Sequence, residues 1–393
     1  VYDRIRVNSG NPRHAAGSWA ALCLLGLGLL ACGRQRTTEP AAASTVAPAG
    51  AAVAAGQASP QPVSAEPNNH AALGADAVAA LRFTPPAADA CVDETTKAAR
   101  RAFAWALALD VDPVRLRTEL DMQGKKHFTE LLGLLRVLAA WPADPALAAQ
   151  ARAAAHRVLD QYARGPTFHD LATADDDRFD EDSMSYLRGC WYAQELGWDT
   201  REWRAAIDVV VPRVIERLPR RGIDQRMSFT LIFAALGLAE AESVQALYAQ
   251  GAVANHRPFA YWVASPQRAY ELTHEIFGLT WRGRRRPPYR DPIDERYAKK
   301  AVYTLLHVHL TEKNHDPAAE LVLNRVQLGD ANDEQLNFAR HFLAEGQNAD
   351  GSFGFHTAVL IREQKGNPRY DVAIGGNLHT TLVSLWALMA TCR

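Results

Sequence analysis

Three histidines stand close to the start of strongly apolar runs. They are His274 in Glu271-Leu272-Thr273-His274-Glu275, His379 in His379-Thr380-Thr381-Leu382, and His315 in His315-Asp316-Pro317. Neutral imidazole is the commonest metal ligand and titrates near neutrality. An unpaired polar group in front of an apolar helix is costly, so these rings are expected to have partners. Glu271 lies three positions before His274, on the same helical face. It is expected to be a second ligand, an orienting carboxylate, or a charge favoured by the helix dipole. Asp182 and Cys190 sit eight residues apart, two helical turns, so they share a face. Cys190 reads as a ligand or as a small buried apolar residue. Together these groups suit a cation, commonly zinc, that activates water or polarises a substrate, with Glu271 and Asp182 as catalytic carboxylates.

Other groups are weighed in the same way. Asp316, followed by Pro317, reads as an N-cap. His307 and His309 are two residues apart, which on a helix sends them to different sides. His356 falls in a loop and is a reserve candidate. The stretch Trp281 to Arg290 contains Arg284 and Arg286 between aromatics and reads as a seat for a phosphate, sulfate or carboxylate, or as a solvated loop. Asp176-Asp177-x-x-Asp180 resembles the magnesium-diphosphate motif of class I terpene synthases, but six carboxylates in one run produce that spacing easily, and a loop ending in an Asp182 or Ser183 cap explains it. A Gly-rich phosphate loop, a serine-hydrolase elbow, His-Glu-x-x-His and paired Cys-x-x-Cys are absent from the sequence, which removes several common enzyme classes.

The segments that carry these residues differ sharply in composition. The 393 residues are 48% hydrophobic, with 43 Lys and Arg against 44 Asp and Glu; that balance gives no electrostatic reason to bind nucleic acid. Arg4, Arg6 and Arg13 precede an apolar stretch from Trp19 to Ala31, too short to span a bilayer and suited to an export signal. It closes on Leu29-Leu30-Ala31-Cys32-Gly33, which resembles the lipobox of bacterial lipoproteins. The resemblance implies lipidation of Cys32, a membrane anchor through it, and residence in the cell envelope. Residues 33–90 are rich in Ala and Pro and have few large apolar side chains, so they are expected to form a flexible linker. Residues 91–393 form the folded body, bounded by Cys91 and Cys392, which an oxidising compartment could join.

Nearly every periodic stretch of that body reads as helix, and ten to twelve helices are expected. Trp203, Ile207, Val210, Val211, Val214 and Ile215 recur at spacings of three and four; Pro212 predicts a kink or a later start. Helix openings near His127, Asp182, Arg226, His274, His315 and His379 follow one another at intervals of 41 to 64 residues. Each interval holds an outer and an inner helix, so six hairpins could close into a double ring whose inner helices present their first turns to one mouth. Gln347-Asn348-Ala349-Asp350-Gly351-Ser352-Phe353-Gly354 resembles the Gln-and-Trp/Phe motif of the α/α toroids of terpenoid cyclases and protein prenyltransferases, where it links an outer helix to an inner one. Asn377-Leu378-His379-Thr380-Thr381-Leu382 is similar to the prenyltransferase β-subunit segment in which a His-Thr pair supplies a zinc ligand; the accompanying Asp-x-Cys is missing here. The resemblance implies an all-α, α/α-toroid fold and does not carry prenylation with it.

Three functions are compatible with this reading. One is an exported metalloenzyme with His274, His379, His315 and Cys190 at the ring mouth. Another is a non-catalytic envelope lipoprotein binding a glycan, peptide or protein. The third is a polysaccharide lyase or hydrolase with Trp191, Tyr192, Tyr261 and Trp262 as aromatic subsites. A monomer with a small-molecule, peptide or glycan ligand is expected.

Overall fold

The computed structural model describes residues 88–120, 124–239, 242–330, 333–354 and 377–392. Cys32, the linker apart from its last three residues, and His356 lie outside them. The described residues are all-helical, with fourteen α-helices and two short 3-10 turns. The count exceeds expectation because short helices (Arg115–Leu120, Val244–Gln250, Phe259–Trp262) occupy stretches too brief to show a period.

In chain order the helices are α1 (Ala88–Leu107), α2 (Arg115–Leu120), α3 (Gly124–Ala139), α4 (Pro145–Tyr162), α5 (Asp176–Glu195), α6 (Arg201–Arg217) and α7 (Ile223–Leu236). They continue as α8 (Val244–Gln250), α9 (Phe259–Trp262), α10 (Pro266–Thr280), α11 (Pro292–Thr311), α12 (His315–Gln327), α13 (Glu334–Glu345) and α14 (Leu378–Thr391). Local chemistry sets many starts. Asp144, Asp175, Ser243, Asp291 and Asp333 each accept a backbone N–H of the first turn, and Pro145 and Pro292 occupy first-turn positions where no N–H is needed.

Six helices pack in succession: α3 on α5, α5 on α7, α7 on α10, α10 on α12, α12 on α14, and α14 back on α3. The last of them, α14, is apolar around most of its circumference, with ten of the side chains from Leu378 to Met389 buried. The remaining long helices are one-sided. On α6, Trp203, Ile207, Val210 and Val214 form the buried stripe against α5, while Ile215 is 39% exposed. Pro212 lies inside α6, which begins at Arg201 and not later. α1 covers α14 and α3, α4 covers α3, α8 covers α7 and α10, α11 covers α12, and α13 covers α12 and α14.

Two devices join the chain ends. A disulfide links Cys91 on α1 to Cys392, with Cα atoms 5.8 Å apart across 301 residues of sequence. The loop after α13 docks by Gln347, whose Nε2 donates to the Ala98 carbonyl at 2.9 Å, while Phe353 is fully buried and its N–H donates to Thr381 Oγ1 at 2.9 Å. Gly351 carries a φ of 98° directly against the Arg101 carbonyl, so no side chain fits there. Among the described residues no helix is long and apolar enough to cross a membrane.

Candidate functional site

The successive packing of the inner helices brings side chains from the first and middle turns of five of them together. α3 contributes Glu130, α7 Asp224, α10 Tyr270, Thr273 and His274, α12 Asp316 and Glu320, and α14 His379 and Thr380. These groups form a continuous chain of alternating acids and imidazoles. His379 Nδ1 stands 3.4 Å from Glu130 Oε1, and its Nε2 stands 3.1 Å from Glu320 Oε1 and 3.9 Å from Asp316 Oδ2. The same Glu320 oxygen lies 3.5 Å from His274 Nε2, and His274 Nδ1 faces Asp224 Oδ2 at 3.9 Å. Lys126 flanks the far end, 3.9 Å from Glu130.

Hydroxyl groups fix the carboxylates. Tyr270 donates to Asp316 Oδ2, Thr380 Oγ1 donates to Asp316 Oδ1 at 2.8 Å, and Thr273 Oγ1 donates to Glu320 Oε2. Glu320 is the hub, with a side chain only 1% exposed; the His274 side chain, at 36%, is the open end. Helix dipoles favour acids in the first turns, and both Asp224 and Asp316 occupy such turns.

The electrostatics follow from this mutual pairing. Burial opposes charge on His379, but Asp316, Glu130 and Glu320 outweigh it and hold the ring protonated well above its ordinary range. Burial would raise Glu320, yet His274 and His379 hold it well below the usual carboxylate range. Glu130 is held at about 2 by Lys126 and His379 against its own burial. Asp224 goes the other way: burial raises it, and His274 only partly compensates. Protons are therefore held unevenly along the chain, with an imidazolium favoured at His379, between Glu130 and Glu320, and a carboxyl that protonates more easily at the Asp224 end.

The two histidines singled out in the sequence thus meet on one oxygen, while several other expected members are elsewhere. Glu271 does not orient His274, because Arg268 Nη1 takes both its oxygens at 2.7 Å and Tyr261 OH donates to it. His315 is at the start of α12 but turns outward and stacks on Phe342 of α13, ring centroids 4.3 Å apart. Asp316, expected as a cap, points inward instead, and the cap position belongs to Asn314. Asp182 is not a cap and does not join the acid–imidazole chain: α5 starts six residues earlier, and the fully buried carboxylate pairs with Arg117 at 3.0 Å and Arg178 at 3.7 Å. Cys190 is buried and free, feels Arg204 of α6, and has its thiol pushed up to about 12 by burial. The rest of the acidic run is an ion-pair seam, with Asp176 held by Arg213 and Arg217 and Asp180 by Arg217 and Arg221. His307 is exposed and His309 buried, so this pair does point to different sides.

Glu130, Asp224 and Glu320 were not singled out by sequence reasoning. The signal was there: Glu320 sits inside Ala318-Ala319-Glu320-Leu321-Val322-Leu323, and a lone acid in a fully apolar stretch demands a buried partner. Of the ligands expected at one mouth, His274 and His379 meet on Glu320, His315 stacks on Phe342 instead, and Cys190 is buried on α5 with Arg204 as its charged neighbour. Among the described residues no group of three or more His, Cys, Asp or Glu is placed to hold a metal ion.

Residues 89–389 match the family described as a domain of unknown function, DUF6895. The chain belongs to that family. No curated protein and no solved structure matches the chain. The family match covers the whole helical body, from α1 to the last inner helix, and so includes every residue of the acid–imidazole chain.

Proposed function

We propose that the helical body is an α/α toroid, carried on the envelope side of a bacterial membrane by a lipidated Cys32 and the 33–90 linker, and that the mouth formed by its inner helices is a site of general acid–base chemistry. The closed succession of packed inner helices supports the ring. The observation that carries the chemistry is the sharing of Glu320 Oε1 by His274 and His379 at 3.5 and 3.1 Å.

In this reading His274 is the working group. Its Nε2 is backed by Glu320, which stabilises the imidazolium that forms when the ring takes a proton. Its Nδ1 faces Asp224 at 3.9 Å, beyond hydrogen-bond reach, which leaves that nitrogen for a water or a substrate hydroxyl or amide. His379, already protonated, keeps Glu320 ionised and does not itself exchange. Asp224, raised by burial, is the nearest acid able to return a proton. The ligand is a polar small molecule, peptide or glycan that reaches the mouth, met by a monomer.

The test uses full-length protein against chromogenic esters and glycosides, peptides and soluble polysaccharides. Turnover is expected, with loss of roughly 100-fold or more in His274→Asn and Glu320→Gln. Turnover that survives both substitutions removes the proposal. Stoichiometric metal by elemental analysis, lost in His379→Ala, would replace acid–base chemistry with a metal centre. Variants that lose stability alone, with no turnover by the parent, would favour the non-catalytic binding protein.

A further inference from the structure

At the opposite end of the inner helices lies a recess of about 250 Å³. Its walls include Arg136 at the end of α3, Trp141 just beyond it, Trp191 on α5, Arg282 and Arg284 after α10, and Trp386 on α14. Charge here is the reverse of the acid-rich mouth. Glu195 pairs with Arg136 at 3.0 Å and with Arg284, which leaves Arg282 over. Among the described residues no carboxylate pairs with Arg282; its Nη1 donates to Tyr192 OH at 3.2 Å and its buried Nε has no partner. Its guanidinium lies over the rings of Trp191, Phe277 and Trp386, 5.5 to 5.9 Å from their centroids.

The backbone holds Arg282 there at a conformational cost. Trp281, Arg282 and Gly283 have φ values of 51°, 54° and 84°, three successive left-handed residues of which only one is glycine. Non-glycine residues in that region persist only where surroundings impose them, and such strain gathers at ligand clamps. The Arg282 N–H donates to the Phe277 carbonyl at 2.9 Å and the Arg285 N–H to the Thr280 carbonyl at 3.0 Å, which locks the turn. Arg286, expected beside Arg284 in an anion seat, is exposed and does not line the recess.

We infer that this recess is a binding site for a small carboxylate carried on a flat body, the carboxylate meeting Arg282 and the body lying against Trp191 and Trp386. A planar guanidinium without a carboxylate partner recognises a carboxylate by charge-assisted hydrogen bonds, and tryptophan faces receive an aromatic ring or the apolar face of a sugar. The volume suits roughly eight waters, hence a single aryl acid or sugar acid. No residue of the acid–imidazole chain lines the recess; Phe277 stands between the two, against Arg282 on one side and the His274 ring on the other.

Calorimetry on full-length protein with benzoate, D-glucuronate, benzamide, glucose and inorganic phosphate tests it. At least one carboxylate is expected to saturate, with its neutral counterpart about tenfold weaker or worse; whether benzoate or glucuronate binds identifies the source. Arg282→Gln is expected to lose at least about tenfold, Arg282→Lys to recover part of that, and Arg286→Gln to match the parent. Arg284→Gln, at the 57% exposed rim, provides a milder loss should Arg282→Gln fail to fold. The inference fails if neither carboxylate saturates by about 10 mM, if neutral counterparts bind equally, if phosphate alone binds, or if the folded Arg282→Gln and Arg284→Gln variants bind like the parent.

Discussion

His379 Nε2 lies 3.1 Å from Glu320 Oε1, and that contact ties the first turn of the last inner helix to the middle of its neighbour through a buried charge pair. Glu320→Gln keeps the shape and removes the charge. It is expected to lower the His379 pKa toward 6.5 and to destabilise the fold by about 2–4 kcal/mol, because a buried imidazolium loses one of its three acids. Proton NMR titration of the ring and urea unfolding of the variant measure both effects. An unchanged titration would separate the two residues.

The alkaline limb of stability should belong to His379. Its folded pKa is raised above the ordinary histidine value of 6.5, so its stabilisation is fully present below about 6.5 and is lost as pH rises through the raised folded value. Urea midpoints should therefore fall at alkaline pH, and His379→Gln should flatten that fall. On the acid side Glu130, held at about 2 against 4.5 when unfolded, contributes about 3 kcal/mol that disappears as pH drops from about 4.5 to about 2. Glu130→Gln should remove that part of the acid limb.

How much of this was legible beforehand depends on what kind of signal each residue leaves. α12 and α14 begin where the sequence placed them, at His315 and beside His379, because polar-to-apolar boundaries there coincide with helix starts. α5 and α10 begin six and eight residues earlier than expected, since Asp175 caps the one and Pro266 opens the other. His274 nevertheless reaches the mouth, because helix rotation decides which face it joins. Glu271, on its own helix, was the nearer carboxylate in sequence; Arg268 claims it, and the partners of His274 come from α7 and α12. Spacing along one helix identifies candidates for a shared face, but not which neighbouring helix supplies the opposite charge.

The Cys91–Cys392 disulfide closes almost the whole folded chain into one loop. In the chain-entropy account, closing so long a loop is worth on the order of 5–6 kcal/mol. Reduction, or Cys91→Ser with Cys392→Ser, should lower the unfolding free energy measured by urea titration by that amount without altering helix content in circular dichroism. Equal stability of the oxidised and reduced protein would show that the link contributes nothing to the closure.

Gly351 tests the loop that joins α13 to α1 and α14. A methyl group there meets the Arg101 carbonyl while φ stays at 98°, so Gly351→Ala faces both a backbone clash and a left-handed conformation. The expected cost is roughly 2–4 kcal/mol. Gly329, also left-handed at 82° but with open space where a Cβ would go, supplies the control: Gly329→Ala should cost only about 1 kcal/mol. Thermal melts of both variants measure the difference. A Gly351→Ala protein as stable as Gly329→Ala would mean that the loop detaches freely and does not hold the first and last helices together.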